Sequence, residues 1–135
     1  MDCIFCKIVN KEISAKIIAE TSKSIAFMDA FPLTLGHSLV IPKIHYEKIQ
    51  DISIEDNADL FETVRKTIAK IDKITNATLV AIHNGKESGQ EIPHVHVHLI
   101  PRSPKDSAGP VHSMFRNMAK LSDKETNQIY EKLKE

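Results

Sequence analysis

The sequence predicts an α+β domain built on an antiparallel sheet. Two short apolar runs separated by polar residues are typical of a hairpin, and a third run ends at Pro42. One longer segment repeats apolar residues at three- and four-residue steps, as an amphipathic helix does. Strands that meet in hairpins beside one long helix favour the α+β class, and 135 residues suit a single domain.

The N-terminal half is predicted to hold a helical turn and three strands. Residues 3–10 form the helical turn, because three of their apolar side chains share one face. Residues 16–20 and 24–29 form the hairpin, 31–36 are a loop, and 37–41 are the third strand.

The C-terminal half is predicted to hold the long helix, two strands and a terminal helix. Ser53 opens the long helix with a capping-box-like pattern, and Ser122 opens the short terminal one. The apolar stripe of the long helix consists of Leu60, Phe61, Val64, Ile68 and Ile71. Residues 78–82 and 95–100 form the last strands, around an irregular segment at 84–93.

The overall charge is balanced, since eighteen basic residues match eighteen acidic ones. This balance argues against nucleic acid or an anionic membrane as a partner. The longest apolar stretches are too short to span a bilayer, and the N-terminus shows no basic leader with an apolar core. We therefore expect a cytoplasmic protein.

Three histidines alternate with apolar residues near the end of the predicted sheet. Because side chains alternate across a strand, His94, His96 and His98 share one face, and Val95, Val97 and Leu99 share the other. We expect the apolar set to face the core and the imidazoles to line an accessible surface. Such a face suits either metal chelation or nucleophilic and acid–base chemistry.

A glycine-containing loop precedes the histidine strand. Gly85 and Gly89 would let the backbone approach a ligand closely. The loop is predicted to cradle a phosphate with its amides and with Asn84, Ser88, Gly89 and Gln90. A phosphate ligand favours histidine chemistry over a purely metal-binding role.

The sequence resembles the histidine triad (HIT) family. The resemblance lies in the run 94–100 and in segments 4–8, 25–29, 36–43 and 89–90, and spans about residues 3 to 102. Within the family it resembles the branch typified by the adenosine 5'-monophosphoramidases. We expect residues 1–102 to be the HIT domain and residues 103–135 a C-terminal extension of the same globular unit.

The resemblance implies a five-stranded antiparallel sheet that pairs with a second copy into a ten-stranded sheet. It also implies hydrolysis at the α-phosphorus of a purine nucleoside phosphoramidate. The alternatives are a dinucleoside polyphosphate hydrolase, a nucleotide-binding scaffold with vestigial turnover, and a metal-sequestering protein.

The resemblance also implies residue roles. His96 would be the nucleophile, His98 and Gln90 would bind the phosphate oxygens, and His37 would support the histidines from the neighbouring strand. Asp29 would accept from the ribose hydroxyls. The base slot would consist of Phe5, Ile8, Ile13 and Phe27, for which a plain core role is the alternative.

The resemblance further implies a structural zinc site. Its ligands would be Cys3, Cys6, His45 and His94, and it would fix the orientation of His94. The alternative is two free thiols, with His94 only supporting His96.

Two positions depart from the family pattern, and the C-terminal extension matches the smaller members poorly. His83 stands where a small amide residue is usual, and Glu91 stands where some members have a hydroxyl aimed at the leaving group. Glu91 would repel a polyphosphate, which favours phosphoramidates. His112 and Phe115 are candidates to reach the active site or a partner subunit.

Overall fold

The computed structural model describes residues 2–111 and 119–135, which contain a five-stranded sheet, three α-helices and two short 3-10 helices at Ile49–Asp51 and Lys86–Ser88. The α-helices are Ile4–Val9 (α1), Ile54–Ile71 (α2) and Asp123–Leu133 (α3). The strands are Ile17–Glu20 (β1), Ser24–Met28 (β2), Ser38–Pro42 (β3), Thr78–Ala81 (β4) and Val97–Pro101 (β5). They pair antiparallel in the order β1-β2-β3-β5-β4, which confirms the α+β prediction.

The strand ends differ from the predicted ones by one or two residues. Pro42 and Pro101 are the last residues of their strands, where they pair with Ser24 and Thr78. A proline has no amide hydrogen to donate but still keeps the register at a strand end. β5 begins at Val97, so two of the three triad histidines precede the regular strand.

The sheet has one helix on each face. α2 covers the face that carries Val95, Val97 and Leu99, which confirms the predicted direction of this apolar set. α1 covers the opposite face, where Phe5 and Ile8 pack on side chains from β2 and β3. Because the imidazoles alternate with the apolar set, they lie on the α1 side.

Helix α2 begins where the sequence predicted and buries the predicted stripe except at one residue. The hydroxyl of Ser53 accepts from the amide of Asp56 at 3.2 Å, which caps the helix. Leu60, Val64 and Ile71 are buried, but Phe61 is 39% exposed, so its place in the predicted stripe is wrong. The buried stripe instead includes the threonines Thr63 and Thr67, whose hydroxyls donate to carbonyls four residues back.

Alanine substitutions at two neighbouring apolar residues of α2 test which of the two side chains is buried. Leu60→Ala removes a fully buried side chain and should lower the free energy of unfolding by about 2–5 kcal/mol. Phe61→Ala is the matched control and should cost about 1 kcal/mol or less. Urea denaturation measures both, and an equal loss for the two variants would contradict this packing.

The C-terminal helix α3 begins after Ser122, as predicted. The Ser122 hydroxyl accepts from the amide of Glu125 at 3.1 Å. No residue of α3 is buried, so its membership of the same globular unit remains a prediction. His112 and Phe115 lie outside the described residues. None of the described helices is long and apolar enough to cross a membrane.

Candidate functional site

The candidate site lies where the ends of β2 and β3 approach β5. Leu39 of β3 pairs with His98, and this places His37, just before β3, beside the triad. The ring atoms His37 Nε2 and His98 Nδ1 are 3.0 Å apart. This direct contact agrees with the predicted role of His37 in supporting the triad.

A chain of hydrogen bonds fixes the proton positions on His37 and His98. The amide of Leu33 donates to His37 Nδ1 at 3.0 Å, so in the neutral ring the proton is on Nε2. His37 Nε2 then donates to His98 Nδ1. The proton of neutral His98 is consequently on Nε2, where it serves as a donor to a bound anion.

In His96 the proton of the neutral ring is on the other nitrogen, Nδ1. Its Nδ1 is 2.8 Å from the carbonyl oxygen of His94, which only accepts, so Nδ1 carries the proton. The lone pair of Nε2 is left free for attack. The ring of Phe5 packs edge-on against the His96 ring, with 5.1 Å between the centroids.

Burial keeps the triad imidazoles neutral. Desolvation lowers the pKa of His96, and it lowers the pKa of His98 to about 4 with a further contribution from the neighbouring imidazoles. The exposed fractions of His94 and His96 are 0% and 7%, so the expected accessible surface is wrong for these two. The cause is α1, which covers this face of the sheet.

Asp29 lies at the edge of the same cluster. One of its carboxylate oxygens accepts from the Phe31 amide at 2.9 Å, and the other is 3.5 Å from His37 Nε2. The ribose contact predicted for Asp29 remains a prediction, and this orientation leaves the carboxylate beside the histidines.

The loop before β5 uses its polar side chains to hold its own shape. Gln90 Oε1 accepts from the Gly85 amide at 2.7 Å, and its Nε2 donates to the Glu47 carbonyl at 2.8 Å. Asn84 accepts from the Ile49 amide, and the Ser88 hydroxyl donates to the Gly85 carbonyl. The phosphate contacts of these side chains stay predictions.

Three of the four side chains predicted for the base slot are buried. Phe5, Ile8 and Phe27 belong to the core cluster on the α1 face. Ile13 is 37% exposed and lines a cleft of about 620 Å³ between α1 and the loop before β5. Asp2, Glu47 and Glu91 line the same cleft together with Lys7, so it carries three carboxylates and one ammonium.

The four predicted metal ligands lie together. The ligand atoms of Cys3, Cys6, His45 and His94 are all within 4.8 Å of one another. His94 Nδ1 is 3.4 Å from Cys3 Sγ and 3.7 Å from Cys6 Sγ, and Cys6 Sγ is 3.4 Å from His45 Nδ1. These residues could hold a metal ion.

The proton position on His94 agrees with metal ligation. Its Nε2 is 2.9 Å from the carbonyl oxygen of Pro42, so Nε2 donates and Nδ1 presents its lone pair to the thiols. A backbone carbonyl in this role orients many metal-binding histidines. Two thiols and two imidazoles form a donor set that suits zinc.

A second cluster, Asp29, His37 and His98, does not fit a metal in the same way. A metal on His37 Nε2 would require the proton on Nδ1, but the Leu33 amide donates to that atom. The two hydrogens would then face each other. We therefore interpret this cluster as a hydrogen-bond chain.

The backbone groups that set the ring protons had no signal in the sequence. They are the Leu33 amide and the carbonyls of Pro42 and His94. Their side chains do not matter, so residue type cannot reveal them. His83, noted in the sequence as unusual, has its ring centroid 5.4 Å from that of His98.

Comparisons with known proteins agree with this geometry. The HIT domain family profile matches residues 10–105. A Schizosaccharomyces pombe protein named adenosine 5'-monophosphoramidase is 42% identical over 102 residues, which span 76% of this chain and 75% of that protein. Another, named bis(5'-nucleosyl)-tetraphosphatase (asymmetrical), is 36% identical over 96 residues, or 70% of this chain and 53% of that protein.

The fold also matches solved structures. The crystal structure of a histidine triad nucleotide-binding protein from Candida albicans superposes with a TM-score of 0.79 at 34% identity. The match covers 98% of this chain and 95% of that one.

Proposed function

Because the chain belongs to the HIT domain family, we propose that it is a nucleotide hydrolase that works through a nucleotidyl group bound to His96. The observation that carries the proposal is the hydrogen bond from His96 Nδ1 to the His94 carbonyl. This bond holds the ring and leaves Nε2 unprotonated, as a nucleophile requires.

The proposed reaction has two displacements. In the first, His96 Nε2 attacks the α-phosphorus, a phosphorus–nitrogen bond to the ring forms, and the bond to the leaving group breaks. A phosphoramidate releases its amine, which takes a proton from the solvent. In the second, water attacks the phosphorus, the bond to His96 breaks, and the 5'-monophosphate leaves.

The other residues would bind and orient the nucleotide. His98 would donate from Nε2 to a phosphate oxygen, and His37 would hold His98 in the tautomer that permits this. Asp29 would accept from the ribose hydroxyls. The base would lie against the apolar side chains of the α1 face, which requires an opening beside Ile13.

We propose a purine nucleoside phosphoramidate as the preferred substrate. The three carboxylates that line the cleft beside Ile13 outnumber its one ammonium and would repel the negative charge of a polyphosphate. A relative of this chain carries the name adenosine 5'-monophosphoramidase. Dinucleoside polyphosphates are the second candidate, because another relative is named for that activity.

A direct comparison of the two substrates tests this preference. The purified protein should release AMP from adenosine 5'-phosphoramidate with a kcat/KM at least about tenfold above that for diadenosine tetraphosphate. Chromatography of the nucleotide products measures both rates. A higher value for the tetraphosphate would reverse the preference, and tight AMP binding with no turnover of either would indicate a scaffold.

We further propose that Cys3, Cys6, His45 and His94 hold a structural zinc ion. The ion would join α1 to the segment that carries His94 and His96, and a closed set of four ligands leaves no open position for chemistry. The reaction above therefore has no step that requires it. The reduced thiols agree with a cytoplasmic location, which remains our proposal.

We also propose a homodimer in which two sheets join into one of ten strands. β4 is at one edge of the sheet and exposes Val80, which is 44% accessible. Light scattering should then give twice the chain mass of 15.2 kDa, and a monomer mass would contradict the dimer.

A further inference from the structure

His83 lies next to the triad but has no role in the reaction proposed above. β4 pairs with β5 through Val80 with Leu99 and Ala81 with His98. Continued by two residues, this antiparallel register places His83 opposite His96. The His83 ring also packs edge-on against the His98 ring, with 5.4 Å between the centroids.

The loop holds the His83 ring in one orientation. His83 Nδ1 is 2.6 Å from the Ser88 carbonyl oxygen, to which it donates. Gly89 makes room for the ring, because a Cβ at this position would lie 3.0 Å from His83 Nδ1. Gly89 also has a φ of +102°, which other residues rarely adopt. The hydrogen bonds of the described residues leave His83 Nε2 free.

The Ser88 bond determines what Nε2 does in each charge state. With the proton of the neutral ring on Nδ1, Nε2 is an acceptor, and it becomes a donor when the ring is a cation. The His83 side chain is exposed to solvent. An imidazole can therefore bring a full positive charge to a position where an amide cannot.

The surroundings of His83 contain both charged and neutral groups. From β5 and the segment before it, His98 and His96 face the ring, and burial lowers the pKa of His98 to about 4, so His98 is neutral near pH 7. The Asp29 carboxylate and the His37 ring complete the cluster from the ends of β2 and β3. On the loop itself, the Ser88 carbonyl stabilises the cation, and Lys48 lies near Gly85.

The proposed reaction lacks a positive charge at the phosphorus. Attack by His96 places negative charge on the non-bridging oxygens, which donors and cations stabilise. In the described part of the chain, no lysine or arginine bonds to His96 or His98. In-line attack also puts the leaving group opposite His96, so a ring beside His96 faces the non-bridging oxygens.

We propose that His83 is a further catalytic residue, which as an imidazolium donates from Nε2 to a non-bridging oxygen of the nucleotidyl phosphorus. No covalent bond to His83 forms, and its proton stays on the ring throughout. The inference rests on the nucleotidyl transfer proposed above. It adds a charged contact where the family pattern has a neutral amide.

His83→Asn isolates the Nε2 contact. The asparagine amide still reaches the Ser88 carbonyl but has no atom at the Nε2 position. Lys86→Ala, in the same loop, is the matched control. We expect His83→Asn to lower kcat/KM by roughly 10- to 100-fold, equally for substrates that release an alkylamine or a nitrophenol.

A binding measurement separates a phosphate contact from a general disturbance. Calorimetry should show that His83→Asn lowers the affinity for AMP by about tenfold but leaves the affinity for adenosine unchanged. An unchanged kcat/KM, a loss confined to the amine substrate, or equal weakening of adenosine would each overturn the role of His83. If the wild type turns over neither substrate, the proposed function fails, and the AMP-to-adenosine comparison still tests His83.

Discussion

His96→Ala should lower kcat/KM for adenosine 5'-phosphoramidate by about 10⁴-fold or more. The reason is that the variant loses the ring nitrogen that forms the covalent intermediate, and no second group lies in its place. His98 does not substitute, because its Nδ1 accepts from His37 and its Nε2 carries the proton. Steady-state assays with the purified variant measure the loss.

Two controls show that the loss is chemical. The variant should still bind AMP, because His98, Asp29 and the base slot remain. His96→Gly, supplied with free imidazole, should regain part of the lost rate, since the added ring occupies the vacated space. A variant with near wild-type turnover would contradict the assignment of His96 as the nucleophile.

Removing both thiols should have the second-largest effect, on metal content and stability. Wild-type protein purified without added metal should contain about one zinc ion per chain, and Cys3→Ala/Cys6→Ala should contain none. The variant should melt roughly 10 °C lower, because the metal joins α1 to the segment before β5 in the folded state but not in the unfolded chain. Elemental analysis and thermal unfolding measure these quantities.

A chelator provides the matched control for the thiol variant. It should lower the Tm of the wild type toward that of the variant and leave the variant unchanged, because the variant has no ion to lose. Wild-type protein without zinc, or an equal response of both proteins to the chelator, would end the zinc proposal and leave two free thiols.

The alternation of side chains around β5 was enough to predict which side chains face the core and which face of the sheet carries the histidines. The strand period alone placed Val95, Val97 and Leu99 in the core, and the structure agrees. The prediction for the buried stripe of α2 was wrong at Phe61. This residue follows Leu60 directly and therefore lies about 100° away from it around the helix. The threonines Thr63 and Thr67 are buried in its place, since their hydroxyls bond within the helix.

The chemistry of the site depended on groups that residue types do not reveal. Three backbone groups decide which nitrogen of each ring carries the proton; any residue could supply the two carbonyls, and any residue except proline could supply the amide. The loop before β5 gives a second example. Gln90 and Asn84 were predicted to face a phosphate, but each amide also satisfies backbone groups of neighbouring segments, and the structure uses them for that.

Trapping the covalent intermediate tests directly whether His96 is the nucleophile. Excess protein is mixed with adenosine 5'-phosphoramidate, the reaction is quenched within the first turnover, and the protein is analysed by mass spectrometry under conditions that preserve phosphorus–nitrogen bonds. We expect one adenylyl group per chain, located by fragmentation on His96 and absent from His96→Ala. An adenylyl group on another residue, or AMP release in the first turnover with no modified protein, would contradict this expectation.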